Sequence, residues 1–301
     1  MTMGANRKTI VYSGMGESPG SFITDRQGLE RVRARIVNDL RTTVADAGAE
    51  GVVVAMSGGI DSTVTTALAV EALGSENVLG LGLPCHKTER VGVSDARTIA
   101  DGLGIAFEEI QLRPVLEAFE GTVASALEDR TETDGDDRPH ERNYAVGNVL
   151  ARLRMCCTYY AANRTQRLVL GTANRSELLL GYFTKYGDGA ADTYPIGDLY
   201  KTEVRALAER VGVPRRIVSK EPTAGFWADQ TDAEELGASY DVIDPLLSRL
   251  VDGDASIGDA ADAVDVDRET ARSIAWLCAE TEHKRATPPT PGIAGRDATG
   301  I

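Results

Sequence analysis

Residues 57–62 have the sequence Ser-Gly-Gly-Ile-Asp-Ser and follow an apolar, β-branched run at 52–54. Such a run is typical of a strand that a parallel sheet buries on both faces. The two glycines allow a sharp turn and a close approach of the backbone to a ligand. A helix predicted over 63–73 would point its free N–H groups and the positive end of its dipole into that turn. Because these groups could hold phosphate oxygens and Asp61 could hold Mg²⁺, residues 57–62 are predicted to form a phosphate loop.

The phosphate loop differs from two common nucleotide-binding motifs. It has neither the Gly-x-x-x-x-Gly-Lys pattern of a Walker loop nor the Gly-x-Gly-x-x-Gly pattern of dinucleotide-binding folds. It instead resembles the pyrophosphate loop, Ser-Gly-Gly-x-Asp-Ser, of the ATP pyrophosphatases. Members of that superfamily cleave ATP into AMP and pyrophosphate while they adenylate an acceptor, so the resemblance implies adenylation chemistry.

The elements that must position this loop alternate between helix and strand. Apolar residues recur at helical spacing over 29–44, and a further helix is predicted from about Ser94 to Leu103. Buried strands are predicted at 52–54, 78–83, 107–112 and 168–170. This order predicts an α/β fold with a doubly wound parallel sheet, Rossmann-like and with helices on both faces. The site is expected at the carboxyl ends of the strands, and the loop's resemblance implies the adenine nucleotide α-hydrolase type of this fold.

Composition narrows the functional classes. The 301 residues carry a formal net charge of −14, which argues against nonspecific nucleic-acid binding. No run of 18 apolar residues occurs, so no membrane span is expected. The four cysteines form no Cys-x-x-Cys pair, which argues against a zinc site or a disulfide framework and fits a reducing cytoplasm. Six lysines against 26 arginines give a composition that resembles proteins of salt-loving microbes.

One domain with two flexible ends is expected. Residues 1–20 are polar and aperiodic and predict a mobile arm, whereas 287–301 are rich in Pro, Gly and Thr and predict a flexible tail. The domain is expected over 21–286. Within it, a helix predicted over 143–163 has apolar residues around much of its circumference, which indicates burial against more than one surface, including a partner subunit.

Further motifs make the resemblance more specific. They are Gly-Thr-Ala-Asn-Arg-Ser-Glu at 171–177, Gly-Tyr-Phe-Thr-Lys-Tyr-Gly-Asp-Gly-Ala-Ala-Asp at 181–192, Lys201, Lys-Glu-Pro-Thr-Ala at 220–224 and Thr-Glu-His-Lys-Arg at 281–285. With the phosphate loop, they resemble NAD synthetase over about residues 25–290. Many bacterial members have Gly-Thr-Asp-His-Ala-Ala-Glu at the first of these motifs. The chain departs from that pattern at 173–176 but keeps the spacing to Glu177.

The resemblance implies a ligase that amidates nicotinic acid adenine dinucleotide (deamido-NAD) to NAD through an acyl adenylate, with ATP as co-substrate and Mg²⁺ as metal. It assigns Mg²⁺ to Asp61 and Glu177, and it implies a homodimer. The implied ATP contacts are Ala55, Met56, Ser57, Gly58, Gly59, Ile60, Asp61, Ser62, Thr172, Lys201 and Thr223. The implied contacts to deamido-NAD are Arg152, Lys185, Asp192, His283 and Lys284.

The residue types suit this chemistry, because the attacking carboxylate and ATP are both anions. Mg²⁺ and Lys201 would neutralise the phosphates and the developing charge. Asp188, in the Tyr-Gly-Asp-Gly segment, is the candidate for holding ammonium and accepting its proton. Asp188 and Lys201 are therefore the predicted catalytic residues.

The nitrogen donor is expected to be free ammonia. Use of glutamine needs a second site with a cysteine nucleophile, and too few residues lie outside the motifs for a glutaminase domain of ordinary size. Cys85, beside His86, is the best candidate nucleophile, but it lies in the loop expected to cover ATP.

Two alternative functions stay open at this point. One is another ATP pyrophosphatase, such as an amidating enzyme of purine synthesis or a tRNA-thiolating enzyme, although the acidic chain disfavours tRNA. The other is a non-catalytic nucleotide sensor, which the presence of both carboxylates and of Lys201 disfavours.

Overall fold

A computed structural model of the chain describes residues 20–128, 138–221 and 232–290. Its strands are β1 (Gly51–Ala55), β2 (Val78–Gly82), β3 (Ala106–Glu109) and β4 (Arg167–Leu170). Its helices are α1 (Arg26–Asp46), α2 (Ile60–Leu73), α3 (Arg90–Leu103), α4 (Arg113–Phe119), α5 (Ser125–Glu128), α6 (Arg138–Arg164), α7 (Arg175–Leu180), α8 (Lys201–Arg210), α9 (Arg215–Val218), α10 (Asp232–Leu236), α11 (Tyr240–Leu247), α12 (Ile257–Val264), α13 (Arg268–Glu280) and α14 (Glu282–Arg285).

The four strands form one parallel sheet in the order β3-β2-β1-β4. Val53 of β1 pairs with Leu79 of β2 on one side and with Val169 of β4 on the other. The chain therefore winds outward from β1 in one direction to β3 and then returns to add β4 on the opposite side. The predicted doubly wound parallel α/β sheet is confirmed.

Successive side chains of β1 point to opposite faces of the sheet, and helices cover both faces. Val52 and Val54 belong to the core that α1, α2, α3 and α8 share. Val53 faces the other way, into a core with α4 and α6. All three valines are fully buried, which explains the continuous apolar run in a strand with helices on both faces.

A third core lies among the helices at the C-terminal end of the described chain. Buried residues of α11, α12 and α13 pack there against Leu179 and Leu180 of α7. Helix α11 also contacts α8. This helical layer therefore reaches the two elements that carry Glu177 and Lys201.

Several predicted element boundaries are wrong, and the reasons are local. Helix α3 begins at Arg90 rather than near Ser94, because a turn at Lys87–Glu89 leads directly into it. Strand β3 ends at Glu109 rather than at 112, because α4 already begins at Arg113, with Pro114 and its fixed φ in the first turn. The phosphate-loop helix α2 starts at Ile60, so Asp61 and Ser62 lie within its first turn.

The predicted domain limits at 20/21 and 286/287 stay predictions, since 1–19 and 291–301 lie outside the described residues. The start of the described chain is held by hydrogen bonds from the Gly20 N–H to Ser248 Oγ at 2.9 Å and from the Ile23 N–H to Glu203 Oε1 at 2.9 Å. Among the helices that the structure describes, none is long and apolar enough to cross a membrane.

Glu203 is a buried carboxylate in the first turn of α8. Its Oε2 accepts a hydrogen bond from the Tyr200 N–H at 2.9 Å, while Oε1 accepts the bond from Ile23. Burial raises the pKa of Glu203 above its usual value, although the two N–H groups oppose that shift.

We expect the wild type to lose more stability than Glu203→Gln as the pH rises above about 4.5, the ordinary pKa of glutamate. The unfolded chain then releases its proton at a lower pH than the folded chain does, so ionisation favours unfolding. Glutamine can accept a hydrogen bond from only one of the two N–H groups. The variant therefore also has a lower free energy of unfolding by an amount that does not vary with pH. Urea unfolding of both proteins from acidic to neutral pH checks the prediction, and equal slopes against pH would contradict it.

Candidate active site

A cleft of about 700 Å³ opens at the carboxyl ends of β1 and β4. β1 is followed by the phosphate loop, and β4 is followed by the segment that carries Thr172 and Glu177. This is the point at which the strand order changes direction, where open α/β sheets bind their ligands. The predicted ATP-binding residues that line the cleft are Ala55, Met56, Ser57, Gly59, Ile60, Asp61, Ser62, Thr172 and Lys201. Thr223 lies outside the described residues.

The phosphate loop has the geometry that its sequence predicts. Gly58 has a φ of +75°, and a Cβ there would come within 2.1 Å of the Gly92 carbonyl oxygen, so only glycine fits. The Ser57 and Ser62 hydroxyls lie 3.3 Å apart at the start of α2. Within the described chain no side chain caps α2, so its first N–H groups are available to an anion.

Asp61, Glu177 and Lys201 come together in this cleft from three separate elements. The Lys201 Nζ lies 2.5 Å from Asp61 Oδ2 and 3.3 Å from Glu177 Oε1. The Lys201 side chain is only 3% exposed, whereas each carboxylate keeps 17% exposure. An almost fully buried ammonium therefore bridges two carboxylates that still reach the cleft.

Asn174 is a member of this cluster that sequence reasoning missed. Its Nδ2 donates to Asp61 Oδ1 at 3.0 Å, while its Oδ1 caps α7 by accepting from the Glu177 N–H at 3.1 Å. Glu177 Oε2 accepts in return from the Asn174 N–H at 3.2 Å. This is a capping box, and the Asn-x-x-Glu spacing at 174–177 was the signal that could have identified it.

Burial and neighbouring charges both shift the pKa values of Glu177 and Lys201. Burial raises the pKa of Glu177 to about 7, and the negative charge of Asp61 acts the same way, whereas Lys201 opposes the shift. Burial disfavours the charged form of Lys201, but Asp61 and Glu177 outweigh it and hold the pKa of Lys201 above its usual value. Lys201 is therefore a fixed positive charge at neutral pH.

The same two carboxylates fit a divalent cation. Asp61 Oδ2 and Glu177 Oε1 both face the Lys201 ammonium, so their oxygens already converge on one positive charge. Mg²⁺ prefers such hard oxygen ligands, and it commonly takes only one or two carboxylates because substrate phosphates and waters complete its coordination. Within the described residues no group of three or more His, Cys, Asp or Glu side chains is arranged to hold a metal ion.

Asp188 also lines this cleft. Its Oδ1 accepts a hydrogen bond from the Thr184 N–H at 2.8 Å, which fixes the carboxylate. Although Asp188 is exposed to the cleft, the surrounding protein desolvates it and raises the pKa of its carboxyl above the usual value, against the effect of the Thr184 bond. Asp188 is thus more basic than a freely solvated aspartate.

The residues predicted to contact deamido-NAD fall into two groups. Lys284 lines the cleft, where its Nζ donates to the carbonyls of Gly181 at 2.7 Å and Phe183 at 3.0 Å. Arg152, Lys185 and His283 form a connected set outside the cleft lining: Arg152 Nη2 donates to the Lys185 carbonyl at 3.3 Å, and Lys185 Nζ donates to the His283 carbonyl.

The fifth residue, Asp192, lies against the side of α6 that bears Arg152. It accepts from Tyr159 Oη at 3.2 Å and from the Val169 N–H at 2.7 Å. Tyr159 follows Arg152 by seven positions, which places both on one face of the helix. Arg152 and Asp192 therefore lie along one exposed face of α6, and the substrate contacts of all five residues stay a prediction.

Arg154 and Glu89 line the cleft and were also missed. They form an ion pair, and Arg154 Nε donates to the Leu83 carbonyl at 3.1 Å. Glu89 Oε2 accepts from the N–H groups of Cys85 at 2.6 Å and His86 at 2.8 Å. The segment after β2 is thereby fastened to α6, through contacts between distant residues that no local pattern reveals.

The chain is similar to known proteins in both sequence and structure. A family model described as NAD synthase matches residues 32–288. The chain is 41% identical over 266 residues to an NH₃-dependent NAD⁺ synthetase from Methanosarcina mazei, covering 88% of this chain and 99% of that protein. It is 42% identical over 259 residues to one from Halobacterium salinarum, covering 86% and 92% respectively. The solved structure of an NMN synthetase from Francisella tularensis is 34% identical with a TM-score of 0.74, covering 88% of this chain and 99% of that one. The chain belongs to the NAD synthase family.

Proposed function

We propose that this protein is a ligase that amidates deamido-NAD to NAD, with ATP as co-substrate, ammonia as nitrogen donor, and AMP and pyrophosphate as products. The observation that carries the proposal is the convergence of the phosphate loop, the Asp61–Lys201–Glu177 cluster and Asp188 on one cleft. Relatives whose names state NH₃-dependent NAD⁺ synthesis, matched over 92% and 99% of their lengths, support the same reaction.

In the proposed first step, the carboxylate of deamido-NAD attacks the α-phosphorus of ATP, and pyrophosphate leaves. The N–H groups of α2 and the hydroxyls of Ser57 and Ser62 bind the departing phosphates. Lys201 stabilises the charge that develops on the phosphoryl oxygens, because it is already fixed and desolvated. When bound by Asp61 and Glu177, Mg²⁺ supplies further neutralisation of the triphosphate.

In the proposed second step, ammonia attacks the acyl carbon of the adenylate, and AMP leaves. Asp188 binds the incoming ammonium and accepts the proton that it must lose before attack. The raised pKa of Asp188 makes this carboxylate a better base for that transfer. The rigid Thr184 hydrogen bond keeps the acceptor oxygen in place.

The proposal includes a symmetric homodimer formed through α4, α5 and α6. Helix α4 packs on α6, and large apolar side chains on these helices and on the π-helical segment Glu120–Ala124 between α4 and α5 are exposed. They are Val115 (47% exposed), Val123 (43%), Leu127 (57%), Tyr144 (59%) and Tyr160 (70%). Such a surface is typical of a subunit interface. The exposed set of Arg152, Lys185 and His283 begins on the same helix α6, so a partner subunit would complete the dinucleotide site.

Light scattering of the purified protein in high salt is expected to give the mass of a dimer. Val115→Asp combined with Leu127→Asp should give a folded monomer, because it places two charges in the apolar interface. Val91→Asp is the matched control, since Val91 is 69% exposed on α3, on the other face of the sheet, and should leave the dimer intact. A wild-type monomer at assay concentration would refute the dimer.

One assay tests the proposed function against its alternatives. Purified enzyme receives ATP and Mg²⁺ with deamido-NAD, with nicotinic acid mononucleotide, or with an acceptor of purine synthesis, and pyrophosphate and amide products are measured. The mononucleotide is included because a relative is an NMN synthetase. We expect NAD from deamido-NAD with ammonium, and none with glutamine that has been freed of ammonium. Pyrophosphate release without NAD formation, or comparable NAD formation from glutamine, would overturn the proposal.

We propose that the reaction takes place in the cytoplasm. All four cysteines lie within the described residues and are free thiols, which is typical of a reducing compartment.

A further inference from the structure

The first turns of α7 and α8, which carry Glu177 and Lys201, meet at a carboxylate from a third helix. Asp244 of α11 has no exposed surface. Its Oδ1 accepts a hydrogen bond from Ser176 Oγ at 2.5 Å. Its Oδ2 accepts two more, from the Thr202 N–H at 2.8 Å and from the Thr202 hydroxyl at 2.7 Å. One side chain thus holds the chain neighbours of both Glu177 and Lys201.

Ser176 connects the two helices directly. Its hydroxyl oxygen accepts from the Lys201 N–H at 3.0 Å, and its proton is directed to Asp244. Burial raises the pKa of the Asp244 carboxyl above its usual value, and the hydrogen bonds from Ser176 and Thr202 at the two helix starts oppose that shift. The relative position of the two turns is therefore set by Asp244.

Helix α11 also contacts the Lys201 side chain. Tyr240 lies one turn before Asp244 on the same helix face. Its ring centre is 5.4 Å from Lys201 Nζ, and its hydroxyl donates to Asp232 Oδ2 at 3.0 Å. α11 thus packs on the ammonium through Tyr240 and on the backbone through Asp244.

We infer that Asp244 is a positioning residue for adenylation: it sets the distance between the Lys201 ammonium and the Glu177 carboxylate without touching substrate. This inference rests on the roles of Lys201 and Glu177 in the proposed function. Displacing catalytic groups by about 1 Å can cost roughly a hundredfold in rate, so a buried contact that fixes two of them at once has a large effect on catalysis.

The test is Asp244→Asn, which keeps the size of the side chain. An amide nitrogen cannot accept a hydrogen bond, so either the Ser176 arm or the Thr202 arm is lost. We expect kcat to fall about tenfold to a hundredfold, and KM for ATP and the half-saturating Mg²⁺ concentration to rise. KM for deamido-NAD should stay within about twofold, because Arg152, Lys185 and His283 lie elsewhere. A merely structural role would lower kcat in proportion to the folded fraction and leave every KM unchanged.

Asp241→Asn is the matched control. Asp241 lies on the same helix and also reaches α8, through an ion pair with Arg205 at 3.4 Å, but its side chain is 80% exposed. We expect its rate, KM values and Mg²⁺ requirement to match the wild type, since exposed pairs contribute little.

Ser176→Ala decides the question if Asp244→Asn does not fold, and it should give the same shifts in KM for ATP and in Mg²⁺ requirement. The inference is overturned if the folded variant keeps wild-type values of both, whatever its kcat. Lys201→Met, assayed alongside, distinguishes a failure of the proposed site from a failure of the positioning role alone. If Lys201→Met is fully active, the proposed site fails. If Lys201→Met is inactive and the Asp244 variant is normal, only the positioning role fails.

Discussion

Replacing Lys201 with methionine is expected to lower the rate of adenylation by about a hundredfold to a thousandfold. Methionine fills the same buried space but removes the charge that lies 2.5 Å from Asp61 and 3.3 Å from Glu177. No mobile solvent cation can replace it without a cost in reorganisation at each turnover. The rate of pyrophosphate release under saturating ATP, Mg²⁺ and deamido-NAD measures the loss.

The same substitution should also destabilise the fold. Two carboxylates lose their shared partner in a largely buried site, and breaking such a pair costs about 3–5 kcal/mol. Adding Asp61→Asn to Lys201→Met should recover much of that stability without recovering activity, because it removes the repulsion but not the need for the charge. Lys87→Met, at an exposed lysine, is the control. It should change the rate by less than about twofold and the free energy of unfolding by less than about 0.5 kcal/mol. Wild-type pyrophosphate release by Lys201→Met would contradict its catalytic role.

Asp61→Asn and Glu177→Gln should each fold and should lose Mg²⁺-dependent adenylation by about a hundredfold or more. The two carboxylates come from α2 and α7, at the ends of β1 and β4, and they converge on a single positive charge. Each variant keeps the size of the side chain but removes one negative oxygen ligand. The expected signature is a rate that rises with Mg²⁺ concentrations far above those that saturate the wild type.

Glu71→Gln serves as the control for these two variants. Glu71 lies on the same helix as Asp61, at its other end, where it pairs with Arg33 at 2.7 Å on the surface. Its Mg²⁺ dependence should equal that of the wild type. Near-normal pyrophosphate release by either Asp61→Asn or Glu177→Gln at low Mg²⁺ would rule out that residue as a metal ligand.

The sequence was most informative where chemistry and backbone geometry depend on the same residues. Gly58 must be glycine because its φ is positive and the Gly92 carbonyl lies against it. The turn could therefore be predicted from the residue types at 57–62. The valines of β1 form an unbroken apolar run because helices cover both faces of the sheet. The loop, the strand and the parallel fold could therefore be predicted together.

Contacts between distant residues could not be predicted in this way. Asp244 looks like any polar residue on an amphipathic helix, and only the packing of α11 onto α7 and α8 shows that it is buried. Arg154 and Glu89 are 65 positions apart and are brought together by the docking of α6 on the sheet. Helix starts were also misjudged where a short turn runs directly into a helix, as at Arg90. Local patterns carry no information about partners of this kind.

The position of β4 in the sheet has a consequence for how the protein folds. β1, β2 and β3 follow one another closely in the chain, whereas β4 pairs with β1 only after α4, α5 and α6 have intervened. A chain emerging from the ribosome can therefore form the phosphate loop well before Glu177 and Lys201 exist. Closing that long loop carries the larger entropic cost, so insertion of β4 beside β1 should be the slow step. Any intermediate that stops short of it would hold the phosphate loop without Glu177 and Lys201, which both follow β4 in the chain.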